Sequence, residues 1–254
     1  MAIRKNVAAP PVYEMGQMTG KPLEYYSGVF ATLDPQEIAA RTGVPYDAEK
    51  QVFTITLMGM AYAVSWPGAD VIPLADSPRE DLSKSNHATV ARLASAENRV
   101  GSPSGQRAFP INPYERILIL RYLDEGKYIE PIGKYIAYNE MPWGDVYGSN
   151  FQGRVIRRFL HEFGSDTASL KRIMEETPGL CAAPEPKCDV GYSFLFMNGL
   201  SMKILMWEGD DEFPPSVQML YDETVVFGYT AEDVAVAGDI LIARLKVFRK
   251  QLAQ

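Results

Sequence analysis

The chain has 254 residues, 46% of them hydrophobic and 22% charged, close to the usage of ordinary soluble domains, so collagen-like, coiled-coil and wholly disordered readings are excluded. Lys and Arg number 25 against 32 Asp and Glu, a net charge of −7, the opposite of the electrostatic footprint of a general nucleic-acid binder. With 2 Cys and 2 His there is no disulfide scaffold and no tetrathiolate metal site, and a reduced cytoplasmic setting is expected.

The opening residues, MAIRKNVAAPPVYEMGQMTG, lack the apolar core of a secretory signal, and no later run is long and apolar enough for a membrane span. Residues 1–33 are expected to form an extended segment anchored by Tyr25, Tyr26 and Phe30, ahead of a single α+β domain over 34–254. Asp34-Pro35-Gln36-Glu37 places a capping residue, a proline and an acid where a helix starts, and Gly43 ends that helix. Residues 51–58 alternate polar and apolar side chains, and with the run ending at Trp66 they signal a β-hairpin.

Residues 68–112 change character, with many Ser, Pro and Asp and little periodicity apart from a helical stretch near 89–97. A stretch this long reads as an insertion, and His87 within it as a surface residue. Asn112-Pro113-Tyr114-Glu115 repeats the cap, proline and acid arrangement and launches an apolar helix to Glu125. Arg121 lies inside that helix and needs a carboxylate or several carbonyls as partners, because an unpaired guanidinium is costly there. A short strand over 134–138 and a tight stretch over 139–148 follow.

The helix expected over 149–163 is two-sided. Val155, Ile156, Phe159, Leu160 and Phe163 fall on one face, and Arg154, Arg157, Arg158 and His161 on the other. The basic stripe could receive a phosphate or a carboxylate-bearing cofactor; its plain alternative is a solvated face or one docked on the acidic loop at 208–212. A further helix is expected over 169–177. Residues 190–197 and 202–207 read as strands joined through Asn198-Gly199, a hairpin dipeptide. Thr230 with Asp233 three positions on then opens the last helix.

Glu208, Asp210, Asp211 and Glu212 place four carboxylates in five residues. Such a loop could hold a hard cation or supply an acid–base pair, but it lacks EF-hand spacing, and a solvated turn is its plain reading. Cys181 and Cys188 have neither zinc-knuckle nor thioredoxin-like spacing. Aromatic residues gather at Trp143 and Tyr147 and again at Trp207, where they could line a ligand site or simply pack. No glycine-rich dinucleotide loop, phosphate-binding loop, nucleophile elbow or His-Glu-x-x-His is present.

The blocks Ile117-Leu-Ile-Leu-Arg-Tyr-Leu123, Tyr135-Ile-Ala-Tyr-Asn-Glu-Met-Pro-Trp-Gly-Asp-Val-Tyr147 and Ile204-Leu-Met-Trp-Glu-Gly-Asp-Asp-Glu-Phe-Pro-Pro215, with Leu220-Tyr-Asp222, together carry a resemblance. Over about residues 50–250, the insertion apart, the chain resembles a domain-of-unknown-function family of anaerobic bacteria and archaea. Some members of that family carry, ahead of this domain, a four-cysteine iron–sulfur module similar to that of the corrinoid iron–sulfur protein. Those cysteines are absent here, so the resemblance implies no intrinsic cluster. It implies a setting in anaerobic redox, corrinoid or one-carbon chemistry, with a tetrapyrrole or corrinoid as candidate cofactor and a redox or corrinoid protein as candidate partner. It brings no catalytic residues.

The expectation from sequence is a non-catalytic accessory or ligand-binding protein, binding through Arg121, Trp143, Tyr147, Arg154, Arg157, Arg158, His161 and Trp207. One alternative is an enzyme whose Glu208, Asp210, Asp211 and Glu212 hold a divalent cation beside an anionic substrate. Another is a structural subunit of a larger complex.

Overall fold

Several of the helices open on a capping side chain, and each buries one face. In the computed structural model, which describes residues 22–74 and 111–253, the expectation of an extended segment up to residue 33 is corrected over 22–32. Those residues form helix α1 (Pro22–Thr32), with Tyr26 and Phe30 buried and Tyr25 exposed. A helix of this length is marginal alone and is stabilised by packing, here against α3 (Pro113–Glu125). Between them, α2 (Pro35–Thr42) starts where Asp34 accepts the N–H groups of Gln36 and Glu37, at 2.7 and 3.3 Å. Asn112 caps α3, accepting from Tyr114 N at 2.9 Å and Glu115 N at 3.0 Å, while Glu115 reaches back to Asn112 N at 2.8 Å. The expected helix near 89–97 and most of the expected insertion lie outside the described residues; its leading edge forms strand β4.

The strands are β1 (Tyr46–Asp47), β2 (Val52–Leu57), β3 (Met60–Ser65), β4 (Val71–Pro73), β5 (Tyr135–Ala137), β6 (Ala183–Pro184), β7 (Val190–Met197), β8 (Leu200–Trp207) and β9 (Ser216–Asp222). They make one antiparallel sheet in the order β4-β3-β2-β7-β8-β9-β5, with β1 beside β2 and β6 beside β7. Two hairpins build it, and they meet tip to tip. Leu57 pairs with Met197, Met58 N donates to Phe196 O at 2.6 Å, and Thr56 N donates to the Asn198 side chain at 2.9 Å.

The junction also fixes the glycines nearby. A Cβ on Gly59 would lie 2.1 Å from the Gly179 carbonyl carbon, and one on Gly179 would lie 2.4 Å from Gly59 O; both residues have positive φ, 78° and 80°. Two backbones cross at van der Waals distance because neither carries a side chain.

After a 3-10 turn (Tyr138–Glu140) come α4 (Gly144–Phe151), a π turn (Gln152–Ile156), α5 (Arg157–Phe163) and α6 (Thr167–Glu176). A second 3-10 turn (Glu223–Phe227) leads to α7 (Ala231–Leu252), whose start carries the expected capping box of Thr230 and Asp233. Helix α7 packs on α3, α4, the π turn and α6. The inward rows Tyr192, Phe194, Phe196 and Met202, Ile204, Met206 join these helices in one core, which makes the chain a single α+β domain.

Candidate functional site

The chain turns sharply before α4. A Cβ on Gly144 would lie 1.8 Å from Tyr138 O, so the backbone can double back over Tyr138 only with glycine at that position. The preceding residue absorbs the rest of the bend. Trp143 sits at φ 66°, ψ 1°, a left-handed conformation that is a genuine outlier for a bulky side chain and that clusters at functional sites. Trp143 is 43% exposed, with Val146 at 65% and Tyr147 at 41%. Val146 and Tyr147 follow Trp143 in the first turn of α4.

Against this turn lies Tyr138. Its ring stacks on Phe151, with centroids 3.9 Å apart and planes at 8°, and its hydroxyl donates to Ala231 O at 2.9 Å. Burial pushes the phenol up to about 12, the Tyr147 phenol and Glu232 add to the shift, and the Arg154 guanidinium opposes it. Tyr147, Arg154 and the first turn of α7 therefore surround one phenol.

The π turn, a feature recurrent at functional sites, separates the aromatic end of this helical run from its basic end. Arg154 Nε lies 2.5 Å from Asp239 and Arg158 Nη1 lies 2.8 Å from the other oxygen of the same carboxylate. Arg157 and His161 are exposed and have no ion-pair partner among the described residues. The carboxylate that takes up two of these arginines is thus Asp239 of α7, not one from the acidic loop.

Arg121 has the carboxylate its position requires. Its Nε lies 2.5 Å from Asp233 Oδ1, Nη2 donates to Asp233 Oδ2 at 3.1 Å, and Nη1 donates to the Tyr26 hydroxyl at 2.5 Å. Burial acts to lower its pKa, but Asp233 and Tyr26 outweigh it and hold the guanidinium charged. Arg121 is thus held in an internal ion pair.

The acidic loop meets the start of α6. Glu208 accepts from Thr167 Oγ1 at 2.5 Å. Asp210 accepts the N–H groups of Glu212 and Phe213 at 2.8 and 2.7 Å, which hold its carboxyl below the usual range. Asp211 and Glu212 are exposed, as is Phe213. Among the described residues no hydrogen bond or ion pair joins residues 208–212 to Arg154, Arg157, Arg158 or His161, and no three His, Cys, Asp or Glu gather so as to hold a metal ion. Trp207 is half-buried at the end of β8, opposite Ser216. Cys181 and Cys188 are free thiols, and burial pushes Cys188 up.

Sequence reasoning missed several anchoring carboxylates. Asp222, 1% exposed, accepts from Ile132 N, Gly133 N, Thr224 N and Thr224 Oγ1. Strand β9, which leads into it, was legible in the alternation of Val217, Met219 and Tyr221. Asp239 carries no signal in sequence, since its two partners lie on another helix.

A family model described as a domain of unknown function (DUF3786) matches residues 89–244, more than half of the chain. No curated protein and no solved structure matches it.

Proposed function

The chain belongs to the DUF3786 family, and from that premise we propose that it is a non-catalytic binding module that takes a flat cofactor or a partner protein on the face of Trp143, Val146 and Tyr147, beside the arginines of the adjoining helical run. One observation carries this reading. A large aromatic side chain is held in a strained backbone conformation and left exposed, next to two further exposed apolar side chains; strain of this kind costs on the order of 1–3 kcal/mol and persists where it serves a site. Aromatic faces suit flat ligands and interface anchors alike, and Arg157 and His161 add donors for an anionic group.

The resemblance read from the sequence supplies the finer part of the proposal. The setting is anaerobic redox, corrinoid or one-carbon chemistry, the cofactor a tetrapyrrole or corrinoid, the partner a redox or corrinoid protein, and the compartment the cytoplasm. Among the described residues no helix is long and apolar enough to cross a membrane, which is compatible with that compartment.

The test is native purification of the full chain under anaerobic conditions, with its absorption spectrum and bound small molecules recorded, followed by titration with cobalamin and with haem. Binding that is lost in Trp143→Ala and Tyr147→Ala, with folding intact, supports the reading. A colourless protein that binds neither compound and copurifies with no redox or corrinoid protein overturns it.

A further inference from the structure

We propose that Met60 is an oxidation site, at which peroxide converts the thioether to a sulfoxide whose oxygen is received by Tyr62 and Arg244. Met60 opens β3, two residues before Tyr62, so both side chains lie on one face of the strand. The Tyr62 hydroxyl donates to Met60 Sδ at 3.8 Å, and Arg244 Nη1 donates to the same sulfur at 3.9 Å. Two donors therefore converge on an atom that is a weak acceptor.

The donors are poorly served as they stand. Arg244 is 4% exposed; its Nε is taken by Glu115 at 2.6 Å, but Nη2 is buried with no hydrogen-bond partner. Its guanidinium also lies over the Tyr62 ring, 5.3 Å from the centroid. Burial raises the Tyr62 pKa, so the phenol keeps its proton and stays a donor. Nη1, the nitrogen that faces Met60, is served by a weak sulfur acceptor alone, and oxidation makes that thioether polar.

Oxidation would place that oxygen one covalent bond outward from the sulfur, bringing it within ordinary hydrogen-bond range of both donors. The step balances: the sulfur lone pair attacks one peroxide oxygen, the O–O bond breaks as the S–O bond forms, and water leaves. Sulfur is oxidised by two electrons and the peroxide is reduced. Access singles out the same residue. Among the described residues Met60 is half-buried, and every other methionine is buried. Elsewhere a sulfoxide in the core would disrupt packing; at Met60 the site already contains the donors it needs.

The experiment exposes the full chain to graded hydrogen peroxide, follows each methionine by peptide mass spectrometry, and compares melting temperatures before and after. Met60 is expected to oxidise about tenfold faster than Met58, Met197 or Met202, without loss of melting temperature in the native sequence but with a clear drop in oxidised Tyr62→Phe, which lacks one donor. Met60→Leu removes the early oxidation event and serves as control. Equal oxidation rates at Met60 and the buried methionines overturn the proposal, and so does a melting-temperature drop of the same size with and without the Tyr62 hydroxyl.

Discussion

Glu115 and Arg244 lie 129 positions apart in the chain, yet their side chains meet at 2.6 Å with only 4% and 5% of their surfaces exposed. The same carboxylate caps α3 through Asn112 N, so one residue ties the start of α3 to the middle of α7. Removing one member of such a pair leaves a buried charge alone, a loss of about 3–5 kcal/mol. Arg244→Met is expected to cost that much in urea unfolding. Adding Glu115→Gln, which keeps the cap and removes the stranded charge, should recover a large part of it; strict additivity of the two losses would falsify the pairing.

The crossing of Gly59 and Gly179 sets a second expectation. Alanine at either position must hold a left-handed conformation and meet backbone atoms within 2.4 Å. Both Gly59→Ala and Gly179→Ala should lose about 2 kcal/mol or more, read as a drop in melting temperature. A neutral result at both would mean that the two turns do not touch.

Trp143 makes the opposite prediction. Because its φ of 66° is strained for tryptophan and free for glycine, Trp143→Gly should leave stability unchanged or raise it by about 1 kcal/mol while weakening binding at the proposed face. Denaturant unfolding measures the first and ligand titration the second. A loss of stability beyond about 1 kcal/mol would show that the indole holds the fold together rather than serving a site.

Alkaline pH probes the buried tyrosines. Burial raises the phenols of Tyr122, Tyr221 and Tyr229 above their ordinary range, and that of Tyr138 to about 12. Unfolded phenols ionise near pH 10, so above about pH 10 the native state binds more protons than the unfolded state. Their contribution is fully present below about pH 10 and is lost as pH rises toward 12, at about 1.4 kcal/mol per pH unit for each phenol. Tyrosinate absorbance and far-ultraviolet dichroism, followed together from pH 8 to 12, should change in one step for these residues. Ionisation of all tyrosines near pH 10 in a still-folded protein would contradict their burial.

Sequence pattern located most helices and the two long hairpins because their signals are local. Asp34, Asn112 and Thr230 cap within three residues of themselves, and the turn between β7 and β8 is written in Asn198-Gly199. Helix α1 was missed because its stability comes from Tyr26 and Phe30 packing on a distant helix. The π turn was missed because a regular periodicity was assumed through Arg154. Of the candidate site residues, Trp143 and Tyr147 were identifiable by type, whereas the partners of Arg121 and Arg154, Asp233 and Asp239, lie on a helix more than 80 positions away.

The sequence by itself determined the fold class, the capped helix starts and the need of Arg121 for a carboxylate, because alternation, caps and the cost of a buried charge act over a few residues. Only the tertiary structure decided which carboxylate meets which arginine, that among the described residues no hydrogen bond or ion pair joins the acidic loop to the basic stripe, and that Trp143 is strained and exposed. Those outcomes depend on how α7 lies across α3 and α4 and on where two glycine backbones can cross. Packing of the whole chain sets both, and no local pattern of side chains encodes either.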